Sequence, residues 1–185
     1  MKRIFIAIKI EVGAEMMRMI SSLKALLGNE SIKWIDPGNI HITLAFLGDT
    51  EEKRIKILSS ILRNGCRNFG EFKFVLKGTG VFKNYRDPRI IWVGIQINNK
   101  LLKLNDIIIS GLKDADFNTE DRPFKPHLTI GRIRSVKDIE NLKTVLERYR
   151  DTEIQTVNVK EVILYESILM QTGPLYKPLR KYSLS

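Results

Sequence analysis

The sequence contains few of the residues on which cross-linked, fibrous and membrane-spanning proteins depend. Its 185 residues include one cysteine, Cys66, which excludes an intrachain disulfide framework and a CxxC metal or redox motif and favours a reducing compartment, the cytoplasm. Twelve glycines and six prolines, beside 43% hydrophobic residues, argue against a fibrous or disordered chain. The composition therefore predicts a chain that folds on its own.

Long hydrophobic runs are also missing. The N-terminal segment places Lys2 and Arg3 before an apolar run, but Lys9 interrupts this run after residues 4–8, before it reaches the length of a signal peptide. No other stretch approaches the length of a membrane span. We expect a soluble protein that does not insert into a membrane.

Acidic residues are outnumbered, since 21 Asp and Glu stand against 31 Lys and Arg and the formal net charge is +10. Basic domains often bind nucleic acids or other phosphates through long-range attraction. A basic surface that is merely solvated has the same charge balance, so charge alone leaves both interpretations open.

The apolar pattern predicts the order strand, helix, strand, helix, strand twice, and then a basic tail after Gly173 and Pro174. Asp49 or Thr50 is the predicted cap of the second helix. Ser135, in a capping box with Asp138, is the predicted cap of the fourth helix. The first set covers residues 3–10, 14–27, 40–47, about 50–64 and 72–82, and the second covers 89–97, 101–112, 124–133, about 135–149 and 156–169.

The two sets also match in sequence. Arg89-Ile90 follows Arg3-Ile4 by 86 residues, and His127 follows His41 by the same 86. An internal duplication leaves this pattern, whereas chance spacing of short elements is the alternative. We predict one domain over residues 1–185, built as a His41 half and a His127 half that are related by a pseudo-twofold axis.

Each of the two histidines in the chain begins the same motif, His41-Ile42-Thr43 and His127-Leu128-Thr129. Because residues i and i+2 of a strand share a face, each motif offers an imidazole beside a hydroxyl. A pseudo-twofold would bring both motifs to one cleft. One neutral imidazole could then take a proton from an attacking oxygen while one imidazolium gives a proton to the leaving oxygen of a phosphoester, and the hydroxyls could bind its other oxygens.

Two other interpretations of the histidines stay open. A histidine on a strand is often a structural residue. Zinc is the other possibility, although two histidines without a nearby cysteine or third carboxylate leave the usual ligand set short. We expect no metal and no cofactor.

The chain resembles the two-histidine phosphoesterase superfamily and, within it, the RNA 2′,3′-cyclic phosphodiesterases, formerly named 2′-5′ RNA ligases. The resemblance spans nearly the whole chain and rests on residues 34–48 (WIDPGNIHITLAFLG), 78–82 with 89–94, and 122–132 (RPFKPHLTIGR). It implies an α/β (α+β) bilobal duplicated fold, with mostly antiparallel sheets lining a central cleft and helices outside. It also implies metal-independent hydrolysis of RNA 2′,3′-cyclic phosphate ends to 2′-phosphates, and in some members the joining of tRNA halves through a 2′-5′ linkage.

By the same resemblance, His41 is the proton donor, His127 the proton acceptor, and Thr43 and Thr129 bind phosphate. Arg132 matches a basic residue five positions after the second histidine. Strand alternation would place it on the face opposite His127, so its role requires a bulge at Gly131 or the end of the strand there. The first half has phenylalanine at the equivalent position, 46.

Further substrate-binding candidates are Phe82, Arg89 and Tyr176. Family members often have proline after the Phe82 equivalent, whereas this chain has Lys83. Other aromatic residues could stack on bases and other basic residues could bind phosphates, although most such residues are core or solvated. They are Trp34, Tyr85, Trp92, Lys33, Lys83, Arg86, Arg122, Lys125, Lys177, Arg180 and Lys181.

Three functions remain possible at this point. The first is the RNA 2′,3′-cyclic phosphodiesterase, a monomer with RNA, including tRNA halves, as its partner. The second is a non-catalytic RNA-binding module that keeps the cleft, and the third is a phosphodiesterase of small cyclic nucleotides.

Overall fold

The computed structural model describes residues 1–119, 123–171 and 173–185 and contains two antiparallel sheets with four helices. A 3₁₀ turn lies at Pro37–Asn39, shortly before His41. The strands are β1 Lys2–Lys9, β2 Ser31–Trp34, β3 His41–Thr50, β4 Phe72–Phe82, β5 Ile90–Ile95, β6 His127–Ser135, β7 Glu153–Val159, β8 Glu161–Met170 and β9 Gly173–Ser183, and the helices are α1 Ala14–Leu26, α2 Glu52–Cys66, α3 Asn99–Asp114 and α4 Ile139–Glu147.

The two sheets repeat one arrangement. The first has the order β3-β1-β8-β9, and the second has the order β2-β6-β5-β4-β7. When β3 is matched with β6, which carries the second histidine, β1 falls on β5 and β8 on β4. The predicted fold class, a duplicated α+β fold with antiparallel sheets and helices outside them, is confirmed.

Neither sheet is built from one contiguous half of the chain. β2 and β4 precede the midpoint of the chain but lie in the sheet of His127, while β8 and β9 come from the second half and lie in the sheet of His41. The helices are exchanged in the same way, because α1 packs against β7 and α4, while α3 packs against β3 and α2. The two sheets therefore share one continuous core.

The strands that carry the histidines have a matching irregularity. In the first sheet, Ala7 pairs with Thr43 and Ile6 with Ala45, so that Leu44 is an extra residue of β3. In the second sheet β6 has the same extra residue, at position 130. Such a bulge moves the following side chains to the other face of the strand.

The pairing also corrects one detail of the sequence alignment. Phe5 pairs with Phe46, and Ile90 pairs with Arg132. The structural counterpart of Ile90 is thus Phe5 and not Ile4. The segment between Ile90 and His127 is one residue longer than the segment between Phe5 and His41.

The prediction differs from the structure in three places. The short strand β2 was missed, the predicted strand 156–169 is divided at Lys160 between two strands of different sheets, and the basic tail forms strand β9. Apolar periodicity does not show where a chain leaves one sheet for another. β9 lies at a sheet edge, where lysine, arginine and proline are common because they discourage pairing with other chains.

Two helix caps also differ from the prediction. Glu51, and neither Asp49 nor Thr50, occupies the cap position of α2, without a side-chain hydrogen bond. Asp138, not Ser135, caps α4, and its carboxylate accepts a hydrogen bond from the Asn141 amide at 2.8 Å. In both cases the strand before the helix continues through the residue that was predicted to be the cap.

Among the described residues, no helix is both long enough and apolar enough to cross a bilayer.

Candidate active site

A cleft of about 290 Å³ lies where the two histidine-bearing strands face each other. Both His-x-Thr motifs line it, so the structure brings together the four residues that the sequence singled out. The cleft is lined by Arg3, Phe5, Ile35, Asn39, His41, Thr43, Phe46, His127, Thr129, Arg132, Ser167, Leu169, Pro174 and Tyr176.

The two imidazoles are held by equivalent hydrogen bonds. His41 Nδ1 lies 2.6 Å from the Asn39 carbonyl oxygen, and His127 Nδ1 lies 2.8 Å from the Lys125 carbonyl oxygen. A carbonyl only accepts, so Nδ1 carries hydrogen in both rings. Nε2 is then left for a ligand, as a base when the ring is neutral and as an acid when it is charged.

The two rings differ in their environment. Burial lowers the pKa of His41 below its usual 6.5, the hydrogen bond to the Asn39 carbonyl raises it, and the positive charges of Arg132 and His127 lower it further. The neutral form of His41 is therefore favoured in the free protein. A bound anion would act in the opposite direction.

The bulge in β6 supplies the geometry that the sequence required for Arg132. After the extra residue, both Ile130 and Gly131 are buried, and the Arg132 side chain emerges on the same face as His127 and lines the cleft. A guanidinium in this position can bind two phosphate oxygens in a planar fork.

The equivalent bulge in β3 brings Phe46 to the cleft, where the Arg3 guanidinium lies 5.1 Å from its ring centre. Each sheet therefore presents one arginine to the cleft, from a different strand. Sequence reasoning did not single out Arg3 as a site residue, because a basic residue near the start of a strand resembles any solvated residue.

Aromatic side chains position both imidazoles. The ring centre of Tyr176 lies 5.2 Å from that of His41, edge to face, and Phe5 lies 5.1 Å from His41 on another side. Phe82 contacts His127 edge to face at 4.5 Å, although it does not itself line the cleft. These contacts restrict rotation of the rings.

Phe82 is in turn supported by Trp92, with ring centres 5.7 Å apart. Trp92 lies across the backbone of β4 at Gly80, and a Cβ atom at position 80 would overlap with the indole ring. Position 80 must therefore be glycine. The Trp92 ring crosses β4 there and supports Phe82, which contacts His127.

The loop after Phe82 has a conformation that suits the residue present. Lys83 has a φ of 74°, in the left-handed region, whereas the ring of proline holds φ near −65°. Proline at this position would require another loop path. Lys83 forms an ion pair with Asp87, which also accepts from Arg89 Nε at 2.9 Å.

Of the predicted substrate-binding residues, Arg132 and Tyr176 line the cleft, whereas Phe82 and Arg89 do not. Phe82 still contacts His127, but the Arg89 guanidinium is paired with Asp87. Arg122, a predicted phosphate-binding residue, lies outside the described residues.

Apart from Tyr176, sequence reasoning missed the contributions of β8 and β9. Ser167, Leu169 and Pro174 line the cleft beside Tyr176, because β8 pairs with β1 and β9 pairs with β8 to complete the first sheet. No sequence pattern that we used indicates this pairing.

Among residues 1–119, 123–171 and 173–185, no group of three or more His, Cys, Asp or Glu side chains is arranged to hold a metal ion.

The model of the family described as LigT like phosphoesterase matches residues 6–92 and 94–176. Each matched segment contains one His-x-Thr motif.

Curated relatives match over nearly the full chain. An RNA 2′,3′-cyclic phosphodiesterase of Archaeoglobus fulgidus is 32% identical over 181 residues, which cover 97% of this chain and 99% of the relative. One of Thermotoga maritima is 34% identical over 179 residues, covering 96% and 92%.

Solved structures share the fold. The protein TT0787 of Thermus thermophilus superposes with a TM-score of 0.82 at 24% identity, covering 98% of this chain and 97% of that chain. E. coli LigT in complex with 3′-AMP superposes with a TM-score of 0.77 at 26% identity, covering 100% and 98%.

Proposed function

This chain belongs to the LigT-like phosphoesterase family, and on that premise we propose that it hydrolyses the 2′,3′-cyclic phosphate end of RNA to a 2′-phosphate. The single observation that carries the proposal is the pair of His-x-Thr motifs in one cleft. The relatives named RNA 2′,3′-cyclic phosphodiesterase support the choice of substrate.

In the proposed reaction, Nε2 of neutral His127 takes a proton from water as the water oxygen attacks phosphorus. The bond between phosphorus and O3′ breaks on the opposite side, and Nε2 of protonated His41 gives its proton to O3′. A 2′-phosphate and a free 3′-hydroxyl result. Thr43, Thr129 and Arg132 bind the non-bridging oxygens as negative charge develops on them.

A 5′-hydroxyl that replaced water as the nucleophile would give a 2′-5′ linkage by the same proton transfers. We therefore propose RNA halves with a cyclic phosphate and a 5′-hydroxyl, such as tRNA halves, as further substrates. The single buried cysteine keeps the cytoplasm as the proposed location, and a monomer suffices because one chain supplies both histidines.

The proposed activity is tested with a short RNA that ends in a 2′,3′-cyclic phosphate. We expect conversion to a 2′-phosphate, identified by its mass and by its release with a phosphatase, at the same rate with and without excess chelator. Salt-dependent RNA binding without turnover would favour the non-catalytic module, and loss of turnover with chelator would contradict the mechanism.

The environment of His41 predicts an unusual titration. With two histidines in the chain, NMR can follow each imidazole, and a His41→Gln variant assigns the signals. We expect His41 to lose its proton, as pH rises, below 6.5. Arg132→Gln should raise the His41 pKa by removing a nearby positive charge, and added inorganic phosphate should raise it by attraction to the imidazolium.

Arg134→Gln is the matched control for this titration, since Arg134 is exposed on the same strand and does not line the cleft. A His41 pKa at or above 6.5, or one that shifts equally in both arginine variants, would contradict the described environment.

A further inference from the structure

Two further cavities lie beside β9, and one of them shares residues with the cleft. A cavity of about 240 Å³ is bordered by Asn39, His41 and Tyr176, which also line the cleft. A third cavity, of about 440 Å³, shares Lys181 with the second. The second cavity lies on the face of β9 that carries Tyr176 and Lys181, whereas Arg180 and Tyr182 of the third lie on the opposite face, toward α2. The two cavities therefore meet across the edge of the sheet at Lys181.

The second cavity combines an aromatic surface with positive charge. Tyr165, which is stacked on Phe5 with ring centres 5.0 Å apart, lines it together with Tyr176. Lys9 and Lys181 lie at its border. Aromatic faces for bases beside cations for phosphates are the usual means of binding single-stranded nucleic acid.

The third cavity is strongly basic. It lies between the end of α2 and β9, and three arginines line it: Arg63, Arg67 and Arg180. In the part of the chain that the structure describes, none of the three forms an ion pair. Burial raises the pKa of the Cys66 thiol to about 11, so Cys66, which also lines the cavity, adds no negative charge to it.

A buried hydroxyl group also lacks a partner there. Tyr182 lines the third cavity and is 6% exposed, and its hydroxyl makes no hydrogen bond within the described residues. Buried hydroxyls normally have a partner, because an unpaired one loses its hydrogen bonds to water. An anion in the cavity would supply an acceptor. Lys181, by contrast, already donates to Glu161 at 2.8 Å.

From this geometry we propose that the RNA strand upstream of the cyclic end runs from the cleft around the edge strand β9, with a nucleotide in the second cavity on one face of the strand and, on its other face, a backbone phosphate on Arg63, Arg67, Arg180 and the Tyr182 hydroxyl. The six residues from Tyr176 to Tyr182 span about 20 Å of strand. The preferred substrate is therefore an oligonucleotide, not a cyclic mononucleotide. This inference rests on the proposed function.

The test compares two substrates, a hexanucleotide with a 2′,3′-cyclic phosphate end and a 2′,3′-cyclic mononucleotide. Arg63→Glu and Arg180→Glu should each raise KM for the hexanucleotide about tenfold, because each removes a charge-assisted bond to phosphate. Both should leave kcat, and turnover of the mononucleotide, unchanged. Each should also reduce the salt dependence of hexanucleotide binding.

Arg148→Glu provides the control for the same change of net charge, since Arg148 is exposed after α4 and lines none of the three cavities. Tyr182→Phe keeps the ring and removes the hydroxyl, and it should raise KM for the hexanucleotide alone. If Arg63→Glu and Arg180→Glu affect KM no more than Arg148→Glu, or if both substrates are affected equally, the proposed path is wrong.

The two levels of inference fail separately. An unmodified protein that turns over neither substrate would contradict the proposed function. One that turns over both with equal KM would retain that function and contradict only the path along β9.

Discussion

Replacement of either cleft histidine by alanine should lower kcat on cyclic-phosphate RNA by about 10²- to 10⁴-fold, the usual contribution of a general acid or base. His41→Ala removes the proton donor to O3′, and His127→Ala removes the acceptor from water. Within residues 1–119, 123–171 and 173–185, both rings are hydrogen-bonded only to local carbonyl groups, so we expect the fold to persist. Turnover on a short RNA, with circular dichroism as the check of folding, measures the effect.

The two motifs are nearly symmetric and do not by themselves show which histidine is the proton donor and which the acceptor. A change of leaving group distinguishes the two roles. In a substrate with sulfur in place of O3′, the leaving thiolate needs no proton, because thiols are far more acidic than alcohols. We expect this substrate to restore much of the rate of His41→Ala and none of the rate of His127→Ala. The opposite pattern would reverse the assignment, and unchanged turnover in either variant with RNA would end the two-histidine mechanism.

Loss of a threonine hydroxyl should have the next largest effect. Thr43→Val and Thr129→Val retain the shape of the side chain but remove a donor to the non-bridging oxygens. Loss of one such donor costs about 10²- to 10³-fold in kcat in a preorganised site. Because the bond strengthens as charge develops in the transition state, kcat should fall more than KM rises.

Thr156→Val is the matched control, because Thr156 is exposed on β7 and does not line the cleft. Rates within a few-fold of the unmodified protein for both cleft variants would show that the hydroxyls are not phosphate ligands. A rise in KM with unchanged kcat would instead indicate that they bind the ground state and the transition state equally.

Much of the site could be predicted because its information is local. Each His-x-Thr motif lies within three residues of one strand, so alternation alone sets the imidazole and the hydroxyl on one face. The similar spacing of the two motifs from the start of their repeats, which differs by one residue in the structure, then predicted a common cleft. The structure places His41, His127, Thr43 and Thr129 in that cleft.

Arg132 marks the limit of such reasoning. Whether it points to the cleft depends on one extra residue in β6, and a bulge follows from the pairing with β5 and not from the sequence of β6 alone. Arg89 shows the opposite case. It lies in a segment that resembles the family, but its guanidinium is paired with Asp87 and does not line the cleft. Pairing between two strands decided the position of Arg132, and an ion pair with a near neighbour in the sequence decided that of Arg89.

The exchange of strands between the two sheets has a consequence for how the molecule comes apart. A fragment cut between β4 and β5 would hold β1 without β8 and β4 without β5, so each part would expose unpaired strand edges, which promote aggregation. Each half of the chain contributes strands to both sheets, so the unfolding of one sheet also disturbs the segments that form the other. The two lobes must therefore melt together, as one cooperative unit, although each resembles a small domain.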